Sequence, residues 1–191
     1  MNKTVLITGA SRGIGKAIAH RFGKAGYSLI INSSKSADAL QKLQQELTTL
    51  YNIPVLASVG NIGDYEYVST LFSDIKDKFG GVDILINNAG ISHIGLLSDM
   101  EPSEWKNLID INLSSVFYTS KCAVPYMVSK QEGKIINISS VCRSIRDMSL
   151  SVQLRRIVVS YKRLSSRILR LSRRLKLRLI WLCRRALMES C

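Results

Sequence analysis

The last 50 residues of this chain contain no glycine and no proline, and only two acidic residues, Asp147 and Glu189. Such a segment lacks the two residues that most strongly mark tight turns. The chain also has no apolar run long enough to span a bilayer, and no signal-type pattern precedes its first apolar run. Its four cysteines, Cys122, Cys142, Cys183 and Cys191, show neither pairing nor metal-ligand spacing. They read as reduced thiols, and the expected location is cytoplasmic.

What is present divides the chain in two. The net charge of +13 would by itself point to nucleic acid or an anionic membrane. That charge is local: residues 1–141 carry 13 Lys+Arg against 12 Asp+Glu, whereas residues 142–191 carry 14 against 2. All 12 glycines and all 3 prolines fall before residue 142. The expected organisation is a globular domain over 1–141 and a basic Leu/Arg/Ser-rich tail over 142–191.

The first part alternates two kinds of segment. Apolar runs at 3–8, 27–32, 53–61, 82–90 and 133–140 read as strands. Segments at 16–26, 36–51, 64–80 and 103–130 have helical spacing, the last as two successive helices. Apolar strands separated by helices of this length imply a parallel sheet covered on both faces, a doubly wound α/β fold.

The glycines indicate what such a sheet binds. Thr8-Gly9-Ala10-Ser11-Arg12-Gly13-Ile14-Gly15 joins the first strand to the first helix. In this position Gly9 permits a tight turn, Gly13 a close approach to a pyrophosphate, and Gly15 close packing of the helix. The helix N-terminus offers N–H groups and a positive dipole end to phosphates. The spacing is Gly-x-x-x-Gly-x-Gly rather than the commoner Gly-x-Gly-x-x-Gly.

TGASRGIG at 8–15, NNAG at 87–90, Asn112 within a helix, and GKIINISSV at 133–141 follow one another in the order of the short-chain dehydrogenase/reductase family, which the first 141 residues resemble. Within it the chain is most similar to bacterial 3-oxoacyl-acyl-carrier-protein reductases. A related branch, reducing a ketone on the modified lysine of elongation factor P, is an alternative, weakly cued by ISHIGLLSDM at 91–100. The resemblance implies a Rossmann-like fold and hydride transfer from a nicotinamide cofactor to a ketone, such as a 3-oxoacyl thioester. It places Asn87, Asn88, Ala89 and Gly90 beside the cofactor, and Asn61 and Ile62 where the family contacts adenine, with Asn replacing the usual Asp. It gives Ser140 the substrate carbonyl and Asn112 a water-based proton relay. Such proteins are usually homo-oligomers, which the divergent tail puts in doubt here.

The cofactor expected is NADP. The end of the second strand reads Asn32-Ser33-Ser34-Lys35, with no carboxylate before Asp38, and Arg12 lies in the glycine loop. Cations without a carboxylate suit a 2′-phosphate rather than a free 2′-hydroxyl.

Half of the catalytic apparatus that the resemblance implies is missing. The family's tyrosine follows the serine by about 13 residues, with a lysine four further on; counting from Ser140 gives Gln153 and Ile157. Glutamine supplies no useful proton and isoleucine no charge. Tyr126 and Lys130 have the right mutual spacing but precede the fifth strand, and Tyr161 and Lys162 are adjacent. Turnover by this chain is therefore expected to be lost. Three accounts of the tail stand open. One is a shift of reading frame near codon 142, which would end the motif series abruptly. Another is a basic amphipathic helix bearing Leu164, Ile168, Leu171, Leu175, Leu179 and Leu182, suited to anionic membrane or nucleic acid. The third is a substitute helix packed on the sheet. Without the family's later elements, the sheet is expected to end at its fifth strand, followed by an atypical helical basic tail. A non-catalytic dinucleotide-binding fragment is the reading from another functional class.

Overall fold

The computed structural model describes residues 2–139 and, as backbone, 177–183. Its elements follow the alternation in the sequence. Strand β1 (Thr4–Ile7) leads to helix α1 (Gly13–Lys24), then β2 (Ser28–Ser33), α2 (Ala37–Tyr51), β3 (Val55–Val59), α3 (Tyr65–Phe79) and β4 (Ile84–Asn87). A single 3₁₀ turn at Leu97–Asp99 precedes α4 (Pro102–Ile109), which runs through a π-type turn (Asp110–Ser114) into α5 (Ser115–Ser129). Then comes β5 (Gly133–Ser139). The two helical segments expected over 103–130 are thus joined without a loop.

All the strands run parallel, in the order β3-β2-β1-β4-β5, with a sixth strand beyond β5. Every residue of β1, β2 and β4 is buried, as expected of strands with helices on both faces. The period of two then divides them between two apolar layers. Val5, Ile7, Leu29, Ile31, Ile84 and Ile86 face α1 and α2, where Leu40, Leu43 and Leu47 form one stripe. Leu6, Ile30, Leu85 and Ile135 face α3 and α5, meeting Leu71, Ile75, Ala123 and Met127. The doubly wound fold read from the sequence is what the chain adopts.

The helix ends explain themselves chemically. Asp64 caps α3 by accepting a hydrogen bond from the Glu66 N–H, and Gly80 ends that helix in the left-handed conformation. Glu101 and Glu104 form a capping box at α4, with Pro102 in its first turn. No helix among the described residues is long and apolar enough to cross a membrane.

The tail departs from expectation where it is described. Leu177–Cys183 is a strand, β6, paired in parallel with β5 from Gly133↔Leu177 to Ser139↔Cys183. Positions 179 and 182 of the expected leucine stripe therefore lie in a strand, and β5 is not the edge of the sheet. The reason is that a short run such as LRLIWLC fits either element by pattern, and an open parallel edge offers a full row of backbone partners. The rest of 142–191, with Ser140 and Val141, lies outside the described residues.

Candidate functional site

The strand order changes direction between β1 and β4, which opens a crevice at their carboxyl ends. Both flanking segments are tied together there. The buried Thr8 hydroxyl accepts from the N–H groups of Asn88 (3.0 Å) and Ala89 (3.1 Å). The Asn88 side-chain amide, also buried, donates to the carbonyls of Thr8 (3.0 Å) and Gly9 (2.9 Å). Gly9 has φ +65, and a Cβ there would lie 2.7 Å from the Ala89 Cα. At Gly15 a Cβ would stand 2.3 Å from the Gly9 carbonyl oxygen. Glycine at these two places lets the loop fold back against NNAG, with the helix start directly above it.

The N-terminus of α1 opens beside this clasp. Arg12 is its N-cap residue, with no side-chain cap, and the first N–H groups, from Gly13, Ile14 and Gly15, have no carbonyl within the helix to meet. Gly13 faces open space, and Arg12 is exposed. This is the geometry that places N–H donors and a positive dipole end toward an anion.

At the neighbouring strand ends the expected residues divide. The Asn32 side chain is buried and turned inward: its amide donates to Gly60 O (3.1 Å), Ser58 O (3.3 Å) and the Tyr67 hydroxyl (3.0 Å). Only the backbone carbonyl of Asn32 meets the glycine loop, accepting from Ala10 N–H at 2.8 Å. Ile62 is likewise buried, and the Asn61 side chain accepts from Gly63 N–H at 2.9 Å within its own turn. Ser33, not singled out by the sequence pattern, donates its hydroxyl to Ser11 Oγ at 3.3 Å, joining β2 to the loop. Ser34 and Lys35 are exposed, as is Asp38. The edge next to the loop therefore carries hydroxyls and cations, with no carboxylate before Asp38.

Asn112 lies in the π-type turn between α4 and α5. Its side chain accepts from Ile91 N–H (2.9 Å) and donates to Ile91 O (2.8 Å), holding the irregular segment after Gly90. Gly90 sits against it: a Cβ there would be 3.0 Å from Asn112 Oδ1. Below, a buried polar ladder runs inward. The Thr119 hydroxyl donates to Asn87 Oδ1 (2.8 Å), and the Asn87 amide donates to Asn137 Oδ1 (2.8 Å). Asn137 Nδ2 is buried without a partner among the described residues. Sequence reading missed Thr119 and Asn137; the signal was polar residues at otherwise apolar positions of a helix face and a strand. His93, a loop residue, stands 3.9 Å from Glu104.

Ser140, with Gln153 and Ile157, lies outside the described residues. The Tyr126/Lys130 pair is at the opposite end of the sheet. Lys130 bonds Asp83 at 3.4 Å, before β4 begins, and a Cβ on Gly81 would run into the Tyr126 ring. The pair therefore stands away from the crevice at the strands' carboxyl ends.

A parallel sheet in this order, with a glycine loop and an open helix N-terminus at its switch point, defines a doubly wound α/β protein of the dinucleotide-fold class. Residues 3–151 match the short chain dehydrogenase family, and the chain belongs to it. That match stops short of Gln153. Among curated proteins, a 3-oxoacyl-acyl-carrier-protein reductase of Staphylococcus aureus is 36% identical over 145 residues, covering 76% of this chain and 58% of the relative. One from Vibrio cholerae is 40% identical over 139 residues, covering 73% and 55%. A D-beta-hydroxybutyrate dehydrogenase of Rhizobium meliloti is 36% identical over 140 residues, covering 73% and 54%. The chain thus spans somewhat more than half the length of these relatives. Among solved structures, a metagenomic short-chain oxidoreductase in complex with NADP superposes with TM-score 0.84 at 25% identity, over 95% of this chain and 80% of that one. An alcohol dehydrogenase of Thermococcus sibiricus complexed with 5-hydroxy-NADP gives TM-score 0.68 at 30% identity, over 73% and 59%.

Proposed function

We propose that this chain carries the NADP-binding half of a ketone reductase. The observation that carries the reading is the clasp of Thr8 and Asn88 on the glycine loop, which holds the N-terminus of α1 open at the switch point. The residues fit the cofactor. Backbone N–H groups of Gly13, Ile14 and Gly15 would receive the pyrophosphate. Ser11, Arg12, Ser33 and Lys35 would receive the 2′-phosphate, where a carboxylate would repel it. Asn61 and Ile62 would border the adenine through their backbone, and Ala89 and Gly90 the nicotinamide side. When bound, the cofactor supplies the hydride.

The substrate of this reading is a ketone such as a 3-oxoacyl thioester, supported by the 3-oxoacyl-acyl-carrier-protein reductases among the relatives. Ser140 would hold its carbonyl oxygen, and Asn112 fixes the segment at 91 that borders it. With glutamine at 153 and isoleucine at 157, no side chain at those positions supplies the proton or the lysine charge, so we infer binding without appreciable turnover.

The test is titration of the purified chain with NADPH and NADH by nucleotide fluorescence, alongside an assay with an acetoacetyl thioester. The expected result is saturable binding that favours NADPH, with NADPH oxidation at background. Absence of binding refutes the cofactor reading; measurable turnover refutes the loss of catalysis.

A further inference from the structure

The ends of β2 and β3, which border the adenosine half of the proposed nucleotide site, are held by a side chain outside that site. Tyr67, in the first turn of α3, lays its ring over Gly60. A Cβ at position 60 would lie 2.1 Å from the ring, so the aromatic ring occupies the space that any other residue there would need. The ring ends in a hydroxyl 2.7 Å from Ser58 Oγ and 3.0 Å from the Asn32 amide nitrogen. The amide can only donate, so the phenol oxygen accepts from it.

Two paths lead from that hydroxyl to the nucleotide-facing backbone. Through the Asn32 side chain it reaches that residue's backbone, whose carbonyl accepts the Ala10 N–H of the glycine loop at 2.8 Å. The same Asn32 amide donates to Gly60 O at 3.1 Å, while Gly60 N–H donates to Ser33 O at 2.9 Å. Gly60 leads directly to Asn61 and Ile62, and Ser33 bonds to Ser11. A shift of the tyrosine ring would therefore move both borders of the adenosine site together. Burial pushes the Tyr67 phenol above its ordinary pKa, so it stays a neutral donor and acceptor at working pH.

We infer that Tyr67 is a positioning residue for the adenosine half of the cofactor, acting through Asn32 and paired in space with Gly60. This rests on the NADP-binding reading above. The experiment measures affinity for NADPH and for 2′,5′-ADP, together with thermal stability, in the full chain and in Tyr67→Phe, Gly60→Ala, Tyr67→Ala and the double variant. Leu71→Val, a core change on the same helix, sets how far affinity falls from lost stability alone. Tyr67→Phe keeps the ring and loses the hydroxyl with its bonds to Ser58 and Asn32; it is expected to weaken both ligands by the same factor, about 3- to 10-fold, because only the Asn32 bond leads to the loop. Leu71→Val is expected to lower stability and leave affinity within about twofold. Gly60→Ala is expected to weaken binding further, and Tyr67→Ala to suppress that added loss in the double variant. If Tyr67→Phe binds like the parent, or loses no more than Leu71→Val, the inference is overturned. If the parent binds neither ligand, the cofactor reading fails and this inference with it.

Discussion

Replacing Thr8 with valine removes one oxygen from the centre of the clasp and leaves its shape nearly unchanged. That oxygen is fully buried and accepts N–H groups from Asn88 and Ala89 at 3.0 and 3.1 Å. Removing the acceptor from a buried donor costs roughly 1–3 kcal/mol per group. Two donors give about 2–4 kcal/mol, taking the lower half of that range because the Ala89 site is only half-buried. In a chain of 191 residues a change of 1 kcal/mol moves the melting temperature by about 2–4 °C, so a fall of about 5–15 °C is expected. Thr8→Ser keeps the oxygen and gives up a methyl, a change of about 1 kcal/mol at most. The assay is thermal unfolding by circular dichroism with a urea titration of all three proteins. A valine variant melting within 2 °C of the parent, or no lower than the serine variant, would refute the reasoning.

Three further outcomes follow from the same geometry. Gly15→Ala sets a methyl against the Gly9 carbonyl at 2.3 Å and the Ala10 Cα at 2.9 Å; because these are backbone atoms, the loop must move. Stability should fall by about 1–3 kcal/mol and NADPH affinity by at least about tenfold, read by melting and titration. Asn112→Ala removes two hydrogen bonds to Ile91, so amide exchange around residue 91 should accelerate markedly while the global melt moves by only a few degrees. Burial, with the Asp74 carboxylate adding to it, raises the folded-state pKa of Tyr67 above the ordinary phenol range of about 10. Its contribution to stability is fully present below pH 10 and is lost as pH rises through the folded-state value. The parent should therefore lose stability more steeply than Tyr67→Phe above pH 10; parallel pH profiles in urea titrations would contradict this.

The sequence by itself determined the alternation, the doubly wound class and the position of the crevice. Those rest on local pattern: runs such as TVLI and ILIN are too apolar for a strand with a solvated face, and the glycines mark where backbone must come close. Counted from Ser140 by the spacing of the family it resembles, the sequence also has glutamine at 153 and isoleucine at 157 in the places of that family's tyrosine and lysine, positions outside the described residues. The sequence could not show which way a polar side chain turns. Asn32 and Asn61 looked alike as ligand candidates, yet one is a buried strut beneath the loop and the other closes its own turn. Nor could it show that Tyr67 and Gly60 fill a single space, or that Thr119, Asn87 and Asn137 form a ladder. The segment at 177–183 is the clearest case, since its pattern fits helix and strand alike. Pairing with β5 decides it, as backbone hydrogen bonds between distant segments depend on which edge is within reach.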